Sequence, residues 1–334
     1  MLKAHQWFAI KSEGLYCIPG DFYIDPLSPV HTAIISHAHS DHGRPGHKKI
    51  LATRESLAIM RLRYGENCFE QGQSLPYRQP LTINQVQISF LPAGHVLGSA
   101  QIVMDYLGNR VIYSGDYKRR FDPTCTEFET MPCDVFISEA TFALPIFVQP
   151  AIEDELAKLF QSLNDFPIGH LIAVYPLGKC QRLIKSLRLL NYTEPIYLHG
   201  ALIKMCELYE SLGIELGDLR PANVLNAKES AGKIILCPPN ALHDRWTRRF
   251  GEVIKAYASG WMQIRARAKQ KNVDLPLIIS DHADWPQLLQ TIDDIAPQEI
   301  WITHGLEEAL VYQTQRKGYR AKALHLLGYE EDED

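Results

Sequence analysis

The stretch Thr32-Ala33-Ile34-Ile35-Ser36-His37-Ala38-His39-Ser40-Asp41-His42 joins a short apolar run to four side chains able to bind metals. The apolar part reads as a buried strand bounded by polar residues. Beyond it, His37 and His39 project on one side of an extended segment. Asp41 and His42 enter as the backbone turns, so the six residues can serve two adjacent metal ions. A lone His-x-His is a weak signal, whereas His-x-His-x-Asp-His directly after a buried strand is a strong one.

The chain has 334 residues, 46% of them hydrophobic and 22% charged, enough to bury a large core in one large or two intimately joined domains. No apolar run approaches the length that a bilayer requires, and Met1-Leu2-Lys3-Ala4-His5-Gln6-Trp7 lacks the apolar core of a secretion signal. The expected address is therefore the cytoplasm, without membrane contact. The seven cysteines, Cys17, Cys68, Cys125, Cys133, Cys180, Cys206 and Cys237, are scattered and never spaced Cys-x-x-Cys, which fits reduced thiols used for packing. Metal ligands must then be His and carboxylate, favouring Zn, Mn or Fe over a sulfur-rich structural zinc. The net charge of −5 weighs against a polyanion partner, since such affinity comes largely from Lys and Arg. The acidic tail, Glu330-Glu331-Asp332-Glu333-Asp334, supplies all of that excess, and the neutral body it leaves can still carry a basic groove.

Strand-like runs fill the first third, at 7–10, 22–24, 33–35, 86–90, 101–104 and 111–113, the last two flanking the hairpin signal Leu107-Gly108-Asn109-Arg110. One helix interrupts them, with Thr53 placed to cap it. From about residue 150 the rhythm alternates: helices at 152–163, 179–190, 202–212 and 285–295, strands at 171–175, 196–198, 233–236, 253–258, 275–279 and 300–302. Alternation of that kind implies a parallel-sheet α/β unit. Ligand candidates occur before residue 142 and after residue 280, so the simplest organisation is an α/β cap inserted into a metal-binding domain whose two ends reunite.

Three more segments carry a His or Asp at a strand end beside a glycine: Gly94-His95, Gly115-Asp116 and His304-Gly305. Glycine there permits a sharp turn and a close backbone approach. Each alone is an ordinary turn residue; together with the opening run they make a ligand set. We assign His37, His39 and His95 to a first metal, Asp41, His42 and His304 to a second, and Asp116 as a bridge. Two divalent ions so held activate a shared water and stabilise charge in an in-line displacement at phosphorus.

These segments resemble the ligand motifs of the metallo-β-lactamase superfamily. Ile137-Ser138-Glu139-Ala140-Thr141-Phe142 and Ile279-Ser280-Asp281-His282-Ala283-Asp284-Trp285 resemble the signatures of its β-CASP nuclease branch, and Tyr175-Pro176-Leu177-Gly178-Lys179-Cys180-Gln181 and Ala258-Ser259-Gly260-Trp261-Met262 match within the cap. The compact cap and the Gly-Tyr-Glu ending look most like the bacterial ligase-associated DNA exonucleases. The resemblance implies an αββα metallo-β-lactamase sandwich with an inserted β-CASP α/β cap. Its expected divisions are a metal domain at 1–145 and 273–328, the cap at 146–272 and the acidic tail at 329–334. It further implies two Zn or Mn ions, DNA as substrate in end processing or repair, and association with an ATP-dependent DNA ligase and a helicase.

The catalytic set expected is His282, Glu139 and Asp41: His282 as proton donor to the departing oxygen, matched to neutral pH, and Glu139 as the partner fixing its tautomer. Lys118, Lys179, Arg182, Ser259, Gly260 and Trp261 are the substrate-binding candidates, Lys179 because it opens a helix after Gly178. The remaining basic runs, Arg119-Arg120, Arg245 to Arg249 and Arg265 to Lys271, read as solvated faces. Of the other histidines only His31, beside the ligand-bearing strand, is placed to support a ligand.

Three other readings compete. RNA is the nearest alternative, in an exo- or endoribonuclease, because His304 matches the RNA-processing β-CASP branch while the animal DNA-repair branch has an aliphatic residue there. A small-molecule metallohydrolase would need only a short lid, and the length of the insert disfavours it. A degenerate subunit that only binds nucleic acid would have lost ligands, and none of the seven is missing.

Overall fold

The computed structural model describes Ala4–Leu327, so the expected acidic tail and the Gly-Tyr-Glu ending lie outside the described residues. The chain forms two compact units, Met1–Val148 with His282–Asp334, and Gln149–Asp281.

In the first unit, a six-stranded sheet runs in chain order: Phe8–Lys11, Gly14–Cys17, Phe22–Ile24, Thr32–Ile34, His47–Ala52 and Phe69–Ser74. A seven-stranded sheet runs in the spatial order Arg320–Ala323, Glu299–Gly305, Val135–Ala140, Asn109–Tyr113, Ala100–Tyr106, Val86–Pro92 and Leu81–Ile83. The two parts of the unit are joined by the parallel pairing of Val135–Ala140 with Glu299–Gly305. Strict alternation explains why the second sheet is buried on both sides. Met104, Val111, Ile137 and Trp301 enter one core with Trp7, Phe22 and Ile34 of the first sheet. Their neighbours Val103, Ile112, Phe136 and Ile300 enter another with Leu288, Ile292 and Leu310. Those last three belong to the helices Trp285–Ile295 and Glu307–Arg316.

Local signals hold at the points that set this register. The strands Ala100–Tyr106 and Asn109–Tyr113 are joined by Leu107 and Gly108, both left-handed, with φ of 47° and 78°. That is the geometry of a two-residue hairpin. Helix Arg54–Tyr64 starts where Thr53 accepts a hydrogen bond from Ser56 N at 3.2 Å.

The second unit is one six-stranded sheet in the order Leu219–Pro221, Ile196–Leu198, Ile234–Cys237, Gly169–Ala173, Val253–Ala258 and Leu275–Leu277, with every neighbouring pair parallel. Helices Ile152–Asp165, Lys179–Leu189 and Gly200–Ser211 separate successive strands. This unit, Gln149–Asp281, differs from the expected cap at 146–272 at both ends. Residues 273–281, expected in the metal domain, lie in this unit because Leu275–Leu277 pairs with Ala256–Ala258 at the edge of its sheet. Among the described residues no helix is long and apolar enough to cross a membrane.

Candidate metal centre

The candidate ligands sit at the carboxyl ends of strands in the first unit. Thr32–Ile34 delivers the run from His37 to His42, Val86–Pro92 delivers His95, and Asn109–Tyr113 delivers Asp116. His304 arrives differently. The register passes from Glu139 opposite Thr303 to Ala140 opposite Gly305, so His304 is the extra residue of a bulge, with a left-handed φ of 59°. The neighbouring turns leave no room for side chains. A Cβ on Gly94 would lie 2.4 Å from the Lys118 carbonyl oxygen, and one on Gly305 2.3 Å from that of Ala140.

Two groups of donor atoms result. His39 Nδ1 lies 3.1 Å from His37 Nε2 and 2.9 Å from His95 Nε2, and Asp116 Oδ2 lies 3.4 Å from His37 Nε2 and 3.6 Å from His95 Nε2. In the second group, Asp41 Oδ2 lies 3.4 Å from His304 Nε2 and 4.0 Å from His42 Nε2. Asp116 Oδ1 lies beside this group, 3.4 Å from His42 Nε2, and 3.8 Å from the other ring nitrogen of His304, Nδ1. The two oxygens of one buried carboxylate thus serve different groups.

The residues fit a pair of divalent cations. Ligands about 2.0–2.1 Å from a tetrahedral zinc stand about 3.3 Å from one another, close to the spacings of the first group. Three imidazole nitrogens facing inward cannot all be satisfied by shared protons. Moreover, His42 Nε2 and Asp116 Oδ1 are buried without a hydrogen-bond partner, a costly state that a cation relieves.

Electrostatics divides the site in the same way. Burial, helped by His37, presses the His39 imidazole down to about 3. Burial also holds His37 and His95 below the ordinary histidine value. These are neutral rings, the form that coordinates. In the second group the order reverses. Against its burial, the Asp116 and Asp25 carboxylates raise His42 well above its ordinary value. Asp41 raises His304 and is itself lowered by it. Against its own burial, Asp116 is held well below the carboxylate range by His42 and His282. A cation entering this half displaces protons from His42 and His304.

A further carboxylate, Asp25, supports the candidate ligands and was not found by sequence reasoning. Its Oδ2 lies 2.7 Å from His42 Nδ1 and accepts from Ser36 Oγ at 2.5 Å, while Oδ1 accepts from Ser36 N at 2.7 Å. Ser36 Oγ in turn lies 3.0 Å from His37 Nδ1. The only local signal is a carboxylate ending a strand at Ile24-Asp25-Pro26.

His282 stands beside this centre. Its Nδ1 is 3.0 Å from Glu139 Oε2, and Glu139 Oε1 accepts from Tyr117 N at 2.6 Å. Glu139 is buried and the His282 side chain is 21% exposed. Nδ1 is also 3.9 Å from Asp116 Oδ2.

The chain is 28% identical, over 95% of its length and 31% of the other's, to a protein of Opitutus terrae named probable DNA ligase. It is 27% identical, over 54% of its length and 50% of the other's, to an RNase J-like protein of Methanocaldococcus jannaschii. Its fold resembles that of a protein of unknown function from Enterococcus faecalis, with a TM-score of 0.58 at 15% identity over 83% of this chain and 76% of that one. These likenesses fit the β-CASP branch of the metallo-β-lactamase superfamily. No family model matches the chain. The chain spans between about a third and half the length of these two curated relatives.

The expected substrate residues are placed unevenly. Lys118 is 1% exposed and its Nζ lies 2.5 Å from Asp122 Oδ2, so it serves a buried ion pair and does not reach out as a phosphate ligand. Lys179 and Arg182 lie in the second unit, both joined to Asp281, at 3.1 and 3.2 Å. Ser259 caps the next turn by accepting from Trp261 N at 3.3 Å, Gly260 is buried, and Trp261 is half-buried under the Arg267 guanidinium, 4.0 Å from the ring centre.

Proposed function

We propose that this chain is a metal-dependent phosphodiesterase acting as a DNA exonuclease, with Zn or Mn in the two ligand groups and residues 149–281 as its β-CASP cap on a metallo-β-lactamase sandwich. The observation that carries the reading is the division of Asp116 between two ligand groups with the Glu139–His282 pair alongside. Bound divalent ions would supply an activated water and neutralise charge at the phosphate. The protein's own part is orientation and proton transfer. His42 is held by Asp25, and His37 by Ser36, so their coordinating nitrogens point inward. Glu139 positions His282 through Nδ1 and leaves Nε2 as the donor to the departing oxygen.

DNA is favoured by the relative matched over 95% of this chain, whose name is that of a DNA ligase although this chain spans only 31% of it. A nuclease working beside an ATP-dependent ligase and a helicase in end processing fits that kinship. A ribonuclease is the second reading, supported by the RNase J-like relative and by His304 itself. The deciding experiment compares single-stranded DNA and RNA of one sequence, each labelled at the 5′ or 3′ end, with Mn and with Zn. Mononucleotides released from one end of DNA support the proposal. Cleavage of RNA alone, or internal fragments alone, rejects it.

A further inference from the structure

Residues 239–273 of the second unit carry eight Lys or Arg against two carboxylates, in a chain whose net charge is −5. Among the described residues none of these eight forms an ion pair, whereas Arg78, Arg110, Arg119, Lys233 and Lys317 elsewhere each hold a carboxylate. Seven of the eight are exposed. They fall in two short helical segments, Arg245–Phe250 and Arg265–Gln270, and just beyond the second at Lys271. Tertiary structure brings the segments together. His243 Nε2 lies 2.9 Å from the Lys271 carbonyl oxygen, and Lys255 Nζ lies 3.3 Å from His243 Nδ1. Between the two segments is a cavity of about 360 Å³ lined by His243, Tyr257, Gln270, Lys271 and Asn272, with no carboxylate in its wall.

Like charges in excess of the carboxylates around them raise the energy of the folded state unless a polyanion neutralises them. Lys271 lies 5.4 Å from the centre of the buried Tyr257 ring, and Arg267 stacks on the half-buried Trp261. A row of exposed cations beside one partly exposed aromatic ring suits a flexible single strand, whose phosphates engage the cations in turn. We propose that this face of the second unit binds the backbone of single-stranded nucleic acid, with one phosphate seated in the His243–Lys271 cavity. The proposal rests on the nuclease reading for the identity of the polyanion, and it adds a binding surface apart from the residues of the metal centre.

The test measures binding, not cleavage, so that it stands apart from the reaction. A labelled 30-nucleotide single strand is titrated with the protein in chelator, across a range of salt. The variant Arg245→Gln, Arg248→Gln, Lys269→Gln, Lys271→Gln changes only exposed side chains, and its thermal midpoint checks that it folds. Each phosphate contact contributes about 0.7 to the slope of log affinity against log salt. The variant should therefore bind at least tenfold more weakly at low salt, with a slope shallower by up to about 3. His37→Ala, which touches only the metal centre, should keep the wild-type slope in chelator. A folded variant with an unchanged slope overturns the inference. So does a wild-type protein that binds vesicles of anionic phospholipid in preference to the oligonucleotide. A wild-type protein that binds the strand but, with Zn or Mn added, cleaves neither DNA nor RNA would count against the nuclease reading alone.

Discussion

Asp25 meets His42, Ser36 N and Ser36 Oγ at once, so one buried carboxylate orients a candidate ligand and fixes the backbone just ahead of another. Asp25→Ala leaves those groups unpaired. Partners of this kind are worth about 10- to 100-fold in metal affinity, and a competition titration with a chromophoric chelator should show a loss of that size. An unchanged affinity would show that His42 keeps its orientation unaided. His282→Ala makes the complementary prediction. Turnover should fall by at least about 100-fold, the usual worth of a general acid, while metal content by elemental analysis stays at the wild-type value. Loss of metal together with activity would make His282 a ligand instead of a proton donor. The contrast shows what a sequence can and cannot disclose at this scale. His37 to His42 are legible because their spacing is itself the geometry. Asp25 is not, because its nearness to Ser36 depends on the parallel pairing of Ile24 with Ile34, a contact with no local signature. Lys118 misleads for a related reason: closeness to Asp116 in sequence does not tell that its side chain turns away to Asp122.

Among the elements, helix Arg54–Tyr64 depends on Thr53 twice over. The hydroxyl accepts from Ser56 N, and it donates to the Gly98 carbonyl in the turn that follows His95. Thr53→Ala removes the cap and leaves a buried carbonyl short of a donor, although Ser56 Oγ still reaches the same oxygen at 3.1 Å. Unfolding in urea should show a loss of about 1–2 kcal/mol; a change below half that would mean that water or Ser56 replaces the hydroxyl fully. Thr53 was readable because a cap is a local device. The strand Phe69–Ser74 was not, since its pattern runs from one buried residue to five exposed ones and carries no alternation. It exists by pairing with His47–Ala52 at the edge of the sheet. His47–Ala52 is equally quiet: Lys48 and Lys49 occupy its first half and leave only three apolar residues, Ile50 to Ala52. Helix Glu307–Arg316 buries only Leu310 and Thr314, so its periodicity is faint. Strands buried on both faces and helices with full apolar stripes can be read from sequence; edge strands and thinly anchored helices are specified by what they pack against.

Every candidate ligand, from His37 to His304, belongs to the first unit, although 133 residues of the second separate Glu139 from His282 in the chain. Metal binding should consequently stabilise one unit and not the other. A ligand present at a thousand times its dissociation constant adds about 4 kcal/mol to the state that binds it, and amide exchange reads that gain residue by residue. Addition of Zn or Mn to metal-free protein should slow exchange in Thr32–Ile34, Asn109–Tyr113 and Glu299–Gly305, which carry ligands at or near their ends. Gly169–Ala173 and Ile234–Cys237, at the centre of the other sheet, should exchange at the same rate with and without metal. Protons displaced from His42 and His304 make the gain depend on pH in a defined direction. Both rings have raised values in the metal-free protein, so metal competes with protons, and the protection should grow as pH rises toward those values and level off above them. Equal slowing in both sheets would place a metal site in the second unit. Protection that falls as pH rises would show that His42 and His304 are not the groups giving way to the metal.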